Sequence, residues 1–158
     1  MTQIDEARFR QVMGHFASGV TVITTEQGGR LYGMTVSSFC SLSLQPPLVL
    51  ICITTALATH TALAEAGMFA VNILSQSQEH LSRLFSSRID DKFEQVGWHR
   101  GPRGLPLLDG SLASFECQIT DRLSGGDHTI FVGEVLSADV REGQPLLYYR
   151  GGYHGLTT

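Results

Sequence analysis

Apolar positions along the chain follow a helical spacing first and strand spacings afterwards. Phe9, Val12, Met13 and Phe16 fall at i, i+3, i+4 and i+7, which predicts a helix over Glu6–Phe16 with one apolar stripe. Asp5 precedes it as a plausible N-cap, and Ser18-Gly19 reads as its stop. Val20–Thr25 is β-branched throughout and predicts a strand. Glu26-Gln27-Gly28-Gly29 predicts a turn, because glycine tolerates positive φ. Leu31–Phe39 and Leu48–Thr54 read as two more strands, separated by Pro46-Pro47, which cannot donate to a ladder. Thr59 is placed to cap a short helix running through Ala66, with Gly67 as its stop. Met68–Leu74 returns to strand, and Ser75–Phe85 reads as a helix burying Leu81, Leu84 and Phe85. Ile89–Gly104 is polar and punctuated by Gly and Pro, so it reads as a long loop anchored by Trp98.

The last third alternates. Ser114, Glu116 and Gln118 are set against Phe115, Cys117 and Ile119, the pattern of a half-buried antiparallel strand over Ala113–Asp121. Ser124–Asp127 reads as a turn, Thr129–Ala138 as a strand and Pro145–Tyr149 as a last short strand. With about six or seven strands and two or three inserted helices, the expectation is a mainly β single domain over residues 1–158. Closing the strands into a small antiparallel barrel, helices outside, would remove exposed edges.

Composition narrows the function classes. Of 158 residues, 42% are hydrophobic and 16% charged, enough for one core and too few charges for a disordered chain. The net charge of −4 disfavours a nucleic-acid partner, whose phosphates call for excess Lys and Arg. The low charge, 17 glycines and mean hydropathy of +0.06 point toward a homo-oligomer. The first residues lack a basic and then apolar leader, and the longest apolar-plus-Pro run, Pro46–Ile53, is far short of the ~20 residues that span a bilayer. A soluble, cytoplasmic chain with no membrane partner is expected. Cys40, Cys52 and Cys117 form no CxxC pair and the six histidines no HExxH, so neither a disulfide framework nor a metal site is expected.

Four stretches could carry chemistry. In Gly33–Phe39, the hydroxyls of Thr35, Ser37 and Ser38 beside free backbone N–H groups could hold a phosphate, or could simply face solvent on an edge strand. Cys52-Ile53-Thr54-Thr55-Ala56 ends an apolar strand in small residues. Its backbone could approach a planar ligand, or the strand could merely run into a helix cap. Asn72 stands in the apolar run Phe69–Leu74, where its amide must either lock neighbouring backbone or bond a ligand. His128 opens a strand after a flexible turn, and could face a cleft or be a satisfied structural group. The cluster Tyr148-Tyr149-Arg150-Gly151-Gly152-Tyr153 reads as packing, and Arg83, Arg88, Asp90, Asp91 and Lys92 as a solvated face. No Ser-His-Asp order, paired catalytic carboxylates, GxGxxG or GxxxxGK[ST] stands out.

As an ordered set, several stretches resemble the short-chain flavin reductase family, the NAD(P)H:flavin oxidoreductase components of two-component flavin monooxygenases. They are Phe16–Thr25, Gly33–Phe39, Pro46–Leu50, Phe69–Leu74, Gly126-Asp127-His128 with Gly133-Glu134-Val135, and Pro145–Tyr148 with Tyr153. The resemblance implies an FMN-binding split β-barrel with Greek-key-like antiparallel strands, and a homodimer with each flavin in a groove near the subunit interface. By position, it makes Thr35, Ser37 and Ser38 contacts to flavin phosphate or ribityl. It makes Cys52, Ile53, Thr54, Thr55 and Ala56 the backbone edge at the isoalloxazine. Asn72 would support the same site, Lys92 and Phe93 would be a basic-aromatic pair near the flavin, and His128 would meet the nicotinamide nucleotide.

The implied reaction is hydride transfer from NADH or NADPH to N5 of FMN or FAD. The cofactor supplies the chemistry and the protein supplies position, so no side-chain acid or base is expected. A phosphate held by neutral hydroxyls forgoes the stronger bonds of an Arg clamp, which fits a flavin that leaves in reduced form for a separate flavin-dependent oxygenase. The alternatives are a tightly bound flavoprotein reducing another acceptor, such as a ferric complex, and a flavin-binding module without turnover.

Overall fold

A computed structural model describes residues 3–157. Helix α1 (Glu6–Met13) starts as expected, with the Asp5 carboxylate accepting from the Arg8 amide at 2.7 Å. It stops earlier than expected, at Gly14, and its apolar stripe is not buried: Phe9, Val12, Met13 and Phe16 are 50–77% exposed. Ser18-Gly19, expected as a helix stop, forms the short strand β1.

Strands β2 (Thr21–Gln27) and β3 (Arg30–Val36) make the expected hairpin, with Gly28 and Gly29 at φ 60° and 77°. Glycine suits this turn because both central residues need positive φ. The strand expected over Leu31–Phe39 is in fact broken at Ser37-Ser38. Beyond the break lies a strand absent from the sequence reading, β4 (Phe39–Leu44), which pairs with β5 (Pro47–Thr54). Helix α2 (Ala58–Ala66) has Leu57, not Thr59, at its N-cap, whereas Gly67 ends it at φ 71° as expected. Strand β6 (Met68–Ile73) leads to a 3₁₀ turn at Gln76–Gln78 and helix α3 (Glu79–Ser86).

The segment expected as a long loop carries structure. A 3₁₀ turn at Lys92–Gln95 precedes β7 (Trp98–Arg100), which pairs with β8 (Pro106–Leu108). The chain then runs through β9 (Ala113–Gly125), β10 (His128–Val140), β11 (Leu147–Tyr149) and β12 (Gly152–His154). The described residues thus hold twelve strands and three α-helices, against the six or seven strands expected. The excess consists mostly of pieces only two or three residues long, too short to show a period.

The main sheet is antiparallel in the order β3-β2-β6-β9-β10-β5-β4. Its two edge strands, β3 and β4, are consecutive in the chain and joined by Ser37-Ser38 alone, so the sheet's edges approach one another at that corner. One side packs Ile23, Ile51, Ile53, Phe69, Val71 and Phe131 into a common core. A second cluster, with Val22, Leu74, Leu81, Phe85 and Leu146, seats α3.

Glu116 corrects the alternation expected for β9. It is wholly buried, because residues 101–105, between β7 and β8, fold over that face of the strand.

Candidate functional site

A groove of about 690 Å³ runs between β3, the start of α2, the end of α3 and the segment Ser86–Glu94. Phe85 and Phe93 meet edge to face at 5.3 Å, and Phe93 meets Trp98 at 6.0 Å, which fixes an aromatic wall. Gly33 lies flush against that wall: a Cβ there would sit 2.6 Å from the Phe85 ring and 3.2 Å from Phe93. Lys92 Nζ donates to the Phe85 carbonyl at 3.3 Å and lies 5.9 Å from the Phe85 ring centroid. Burial lowers its pKa, and nearby Asp90 partly opposes the shift. At the groove's outer end the Arg30 guanidinium lies 5.3 Å from the Tyr32 ring and 3.6 Å from the Asp90 carboxylate.

All the expected site residues but Asn72 fall into three places. Thr35, Lys92 and Phe93 line the groove. Thr35 is half-buried there, and its hydroxyl donates to the Ser82 carbonyl at 2.6 Å, which leaves only its lone pairs for a ligand.

Ser37, Ser38 and Cys52 come together at the corner between the sheet edges. Ser38 donates from its hydroxyl to the Cys52 carbonyl at 3.0 Å, and the Cys52 amide donates to the Ser38 carbonyl at 3.1 Å. Ser37 is exposed beside them. Burial raises the Cys52 thiol pKa, with Cys40 adding to it, so this thiol stays protonated. Ile53 gives its side chain wholly to the core. Ala56 is exposed in the turn that leads to Leu57 at the groove rim.

Thr54, Thr55 and His128 form the third group, at the far end of the β5–β10 ladder. The Thr55 amide and hydroxyl both donate to the Asp127 carbonyl, at 3.0 and 3.2 Å. The Asp127 carboxylate sits 2.7 Å from His128 Nδ1, and His128 Nε2 sits 3.1 Å from Thr54 Oγ1. The hydrogen bond from His128 holds the Asp127 carboxyl below the usual carboxylate range.

Asn72 departs from the ligand-contact reading. It is fully buried, and its Nδ2 donates to the Val22 carbonyl at 3.1 Å and the Thr24 hydroxyl at 3.3 Å. Its Oδ1 accepts from the Leu108 amide at 2.8 Å and the Ser114 hydroxyl at 3.2 Å. Both amide hydrogens and both lone pairs are taken, so Asn72 ties β2, β8 and β9 together and has nothing left for a ligand.

Phe85, read from sequence only as a buried helix residue, and Tyr32, Arg30 and Leu57, not singled out there, also line the groove. The available signal was the predicted strand through Leu31, whose side chains must alternate between the two faces of the sheet. Among the described residues no group of three His, Cys, Asp or Glu side chains could hold a metal ion. No described helix is long and apolar enough to cross a membrane. Chemically, the groove and corner suit a planar anionic ligand: a ring beside Phe93, one half-buried ammonium, and the exposed Ser37 hydroxyl at the corner.

A model of the flavin reductase-like domain matches residues 13–157. The chain is 44% identical to the reductase subunit HsaB of a flavin-dependent monooxygenase from Rhodococcus jostii, over 97% of this chain and 79% of the relative. It is 43% identical to the FMN reductase (NADH) SmoA of Agrobacterium fabrum, over 92% of this chain and 83% of the relative. Among solved structures, the flavin reductase PheA2 superposes with a TM-score of 0.92 at 41% identity, covering 98% of this chain and all of that one (100%). The NADH:FAD oxidoreductase of Streptomyces globisporus, in complex with NAD and FAD fragments, superposes with a TM-score of 0.94 at 38% identity, covering 99% and 98%. With a match that spans both the groove and the His128 turn, the chain belongs to the flavin reductase-like domain family.

Proposed function

We propose that this chain catalyses the NADH- or NADPH-dependent reduction of free FMN or FAD and supplies the reduced flavin to a separate flavin-dependent oxygenase. The observation that carries the reading is the placement of Thr35, Lys92 and Phe93 in one groove whose bordering strand β3 runs straight into the Ser37-Ser38-Cys52 corner. Phe93, backed by the buried Phe85, offers a wall for an aromatic ring system, and Lys92 a cation for phosphate. Ser37 offers a neutral hydroxyl, Ser38 only the lone pairs of a hydroxyl that donates to Cys52, and the Cys52–Ala56 backbone an edge for the ring. Bound flavin would supply the hydride acceptor. The protein's part is to hold acceptor and donor face to face and to keep water from between them. No side chain need take a proton in that step.

The sheet is proposed to close as a split barrel, in support of which β3 and β4, its two edges, are joined by just Ser37-Ser38. A homodimer is proposed as well. In a lone subunit α1 leaves Phe9, Val12, Met13 and Phe16 to water, an apolar stripe of the kind that marks an interface.

Steady-state assay of NADH and NADPH oxidation with FMN, FAD and riboflavin tests the activity. Ser37→Ala with Ser38→Ala is expected to raise the flavin KM more than the nucleotide KM, and His128→Ala to do the reverse. Equal effects of both variants on one parameter would overturn the site assignment. Stopped-flow transfer of reduced flavin to an oxygenase trap tests release.

A further inference from the structure

The chain Asp127–His128–Thr54 fixes more than the place of an imidazole. An ionised carboxylate only accepts hydrogen bonds, so the His128 Nδ1 that lies 2.7 Å from Asp127 Oδ1 carries the hydrogen. In the neutral ring Nε2 then has a lone pair and no hydrogen. Its 3.1 Å contact with Thr54 Oγ1 must therefore be a hydrogen bond donated by the threonine. A hydroxyl has a single hydrogen. Once that hydrogen lies on Nε2, Thr54 Oγ1 shows only lone pairs to a ligand.

We propose that Asp127 is a positioning residue which, acting through His128, makes the Thr54 hydroxyl an obligate hydrogen-bond acceptor for the primary carboxamide N–H of the reduced nicotinamide. The inference rests on the proposed reading of His128 as the nucleotide contact and sharpens it. Thr54 moves from the flavin edge, where the resemblance placed it, to the nucleotide side of the site. The geometry allows this: Thr54 is half-buried at the end of β5, and the His128 side chain is 40% exposed beside it. The Thr55 bonds to the Asp127 carbonyl hold the turn against the same strand end. The Asp127 side chain is 87% exposed and holds no packing, so its removal tests orientation rather than folding.

The test compares NADH with its reduced acetylpyridine analogue, in which a methyl group replaces the amide nitrogen. The wild type is expected to prefer NADH by about tenfold in kcat/KM, the discrimination typical of one lost hydrogen bond. Thr54→Val and Asp127→Ala should each bring that ratio close to one, and Thr54→Ser should restore it. The double variant should show no further loss, because both changes act on one line of bonds. ¹⁵N NMR of the imidazole should report Nδ1–H in the wild type and a shift toward Nε2–H in Asp127→Ala. A wild type that reduces flavin with NADH yet accepts both nucleotides equally would overturn the inference and leave the reductase reading standing. So would an Asp127→Ala variant with unaltered selectivity and tautomer. A protein that oxidises neither nucleotide in the presence of flavin would overturn the reductase reading itself.

Discussion

The buried carboxylate of Glu116 takes the backbone amide hydrogen of Arg103 on both of its oxygens, at 3.1 and 2.9 Å. The Leu105 amide and the Ser137 hydroxyl add bonds at 3.0 and 2.8 Å. Among the described residues no ion pair includes Glu116, so its two oxygens are satisfied by backbone amides and a hydroxyl alone. Glu116→Ala strands buried donors and opens a cavity, and is expected to lose about 2–4 kcal/mol in urea unfolding. Glu116→Gln should restore only part of the loss: its oxygen can keep the Leu105 bond and its NH₂ can donate to a Ser137 hydroxyl turned to accept, but that NH₂ also faces the Arg103 N–H.

Gly33 is the close-approach glycine of the groove. An alanine Cβ would come within 2.6 Å of Phe85, a ring that is 1% exposed and cannot swing away. Gly33→Ala is therefore expected to displace the aromatic wall and raise the flavin KM by about tenfold, with a stability cost of about 1–3 kcal/mol. Flavin fluorescence titration checks the first effect and thermal unfolding the second. An unchanged flavin affinity would remove the wall from the site.

The face of α1 predicts an assembly state. Light scattering should give the wild type about twice the 17.2 kDa of one chain, and Phe9→Glu with Phe16→Glu should return it to a single chain. Neither side chain is buried in the subunit, so the variant should keep its fold.

Cys117 gives a pH signature. Burial pushes its thiol from 9.0 up to about 12 in the folded chain, with neighbouring Glu116 adding to the shift. Above pH 9.0 the unfolded chain releases this proton while the folded chain keeps it. The stabilising contribution is therefore whole below pH 9.0 and drains away as pH rises toward about 12. Cys117→Ala should flatten that part of the urea-midpoint profile above pH 9.0.

How far the sequence reaches is clearest residue by residue. The β2–β3 turn at Gly28-Gly29, the Asp5 cap and the Gly67 stop were legible, because each is a local demand of the backbone on a particular residue type. The mainly β character was legible because β-branched and alternating runs report a period. The resemblance to flavin reductases was legible because its motifs keep their order from Phe16 to Tyr153.

What tertiary structure decided is where polar side chains direct their bonds. Glu116 sits in an alternation that reads as solvent-facing, and only the fold of residues 101–105 encloses it. Asn72 had two readings, and its four protein partners, drawn from three strands, selected one. Thr35 reaches the groove with its hydrogen already on Ser82, and Thr54 meets a histidine 74 positions away. A pattern of residues records local preference for helix, strand or turn. Hydrogen-bond direction depends on which distant group the fold brings within about 3 Å, a distance that adjacent residues do not determine.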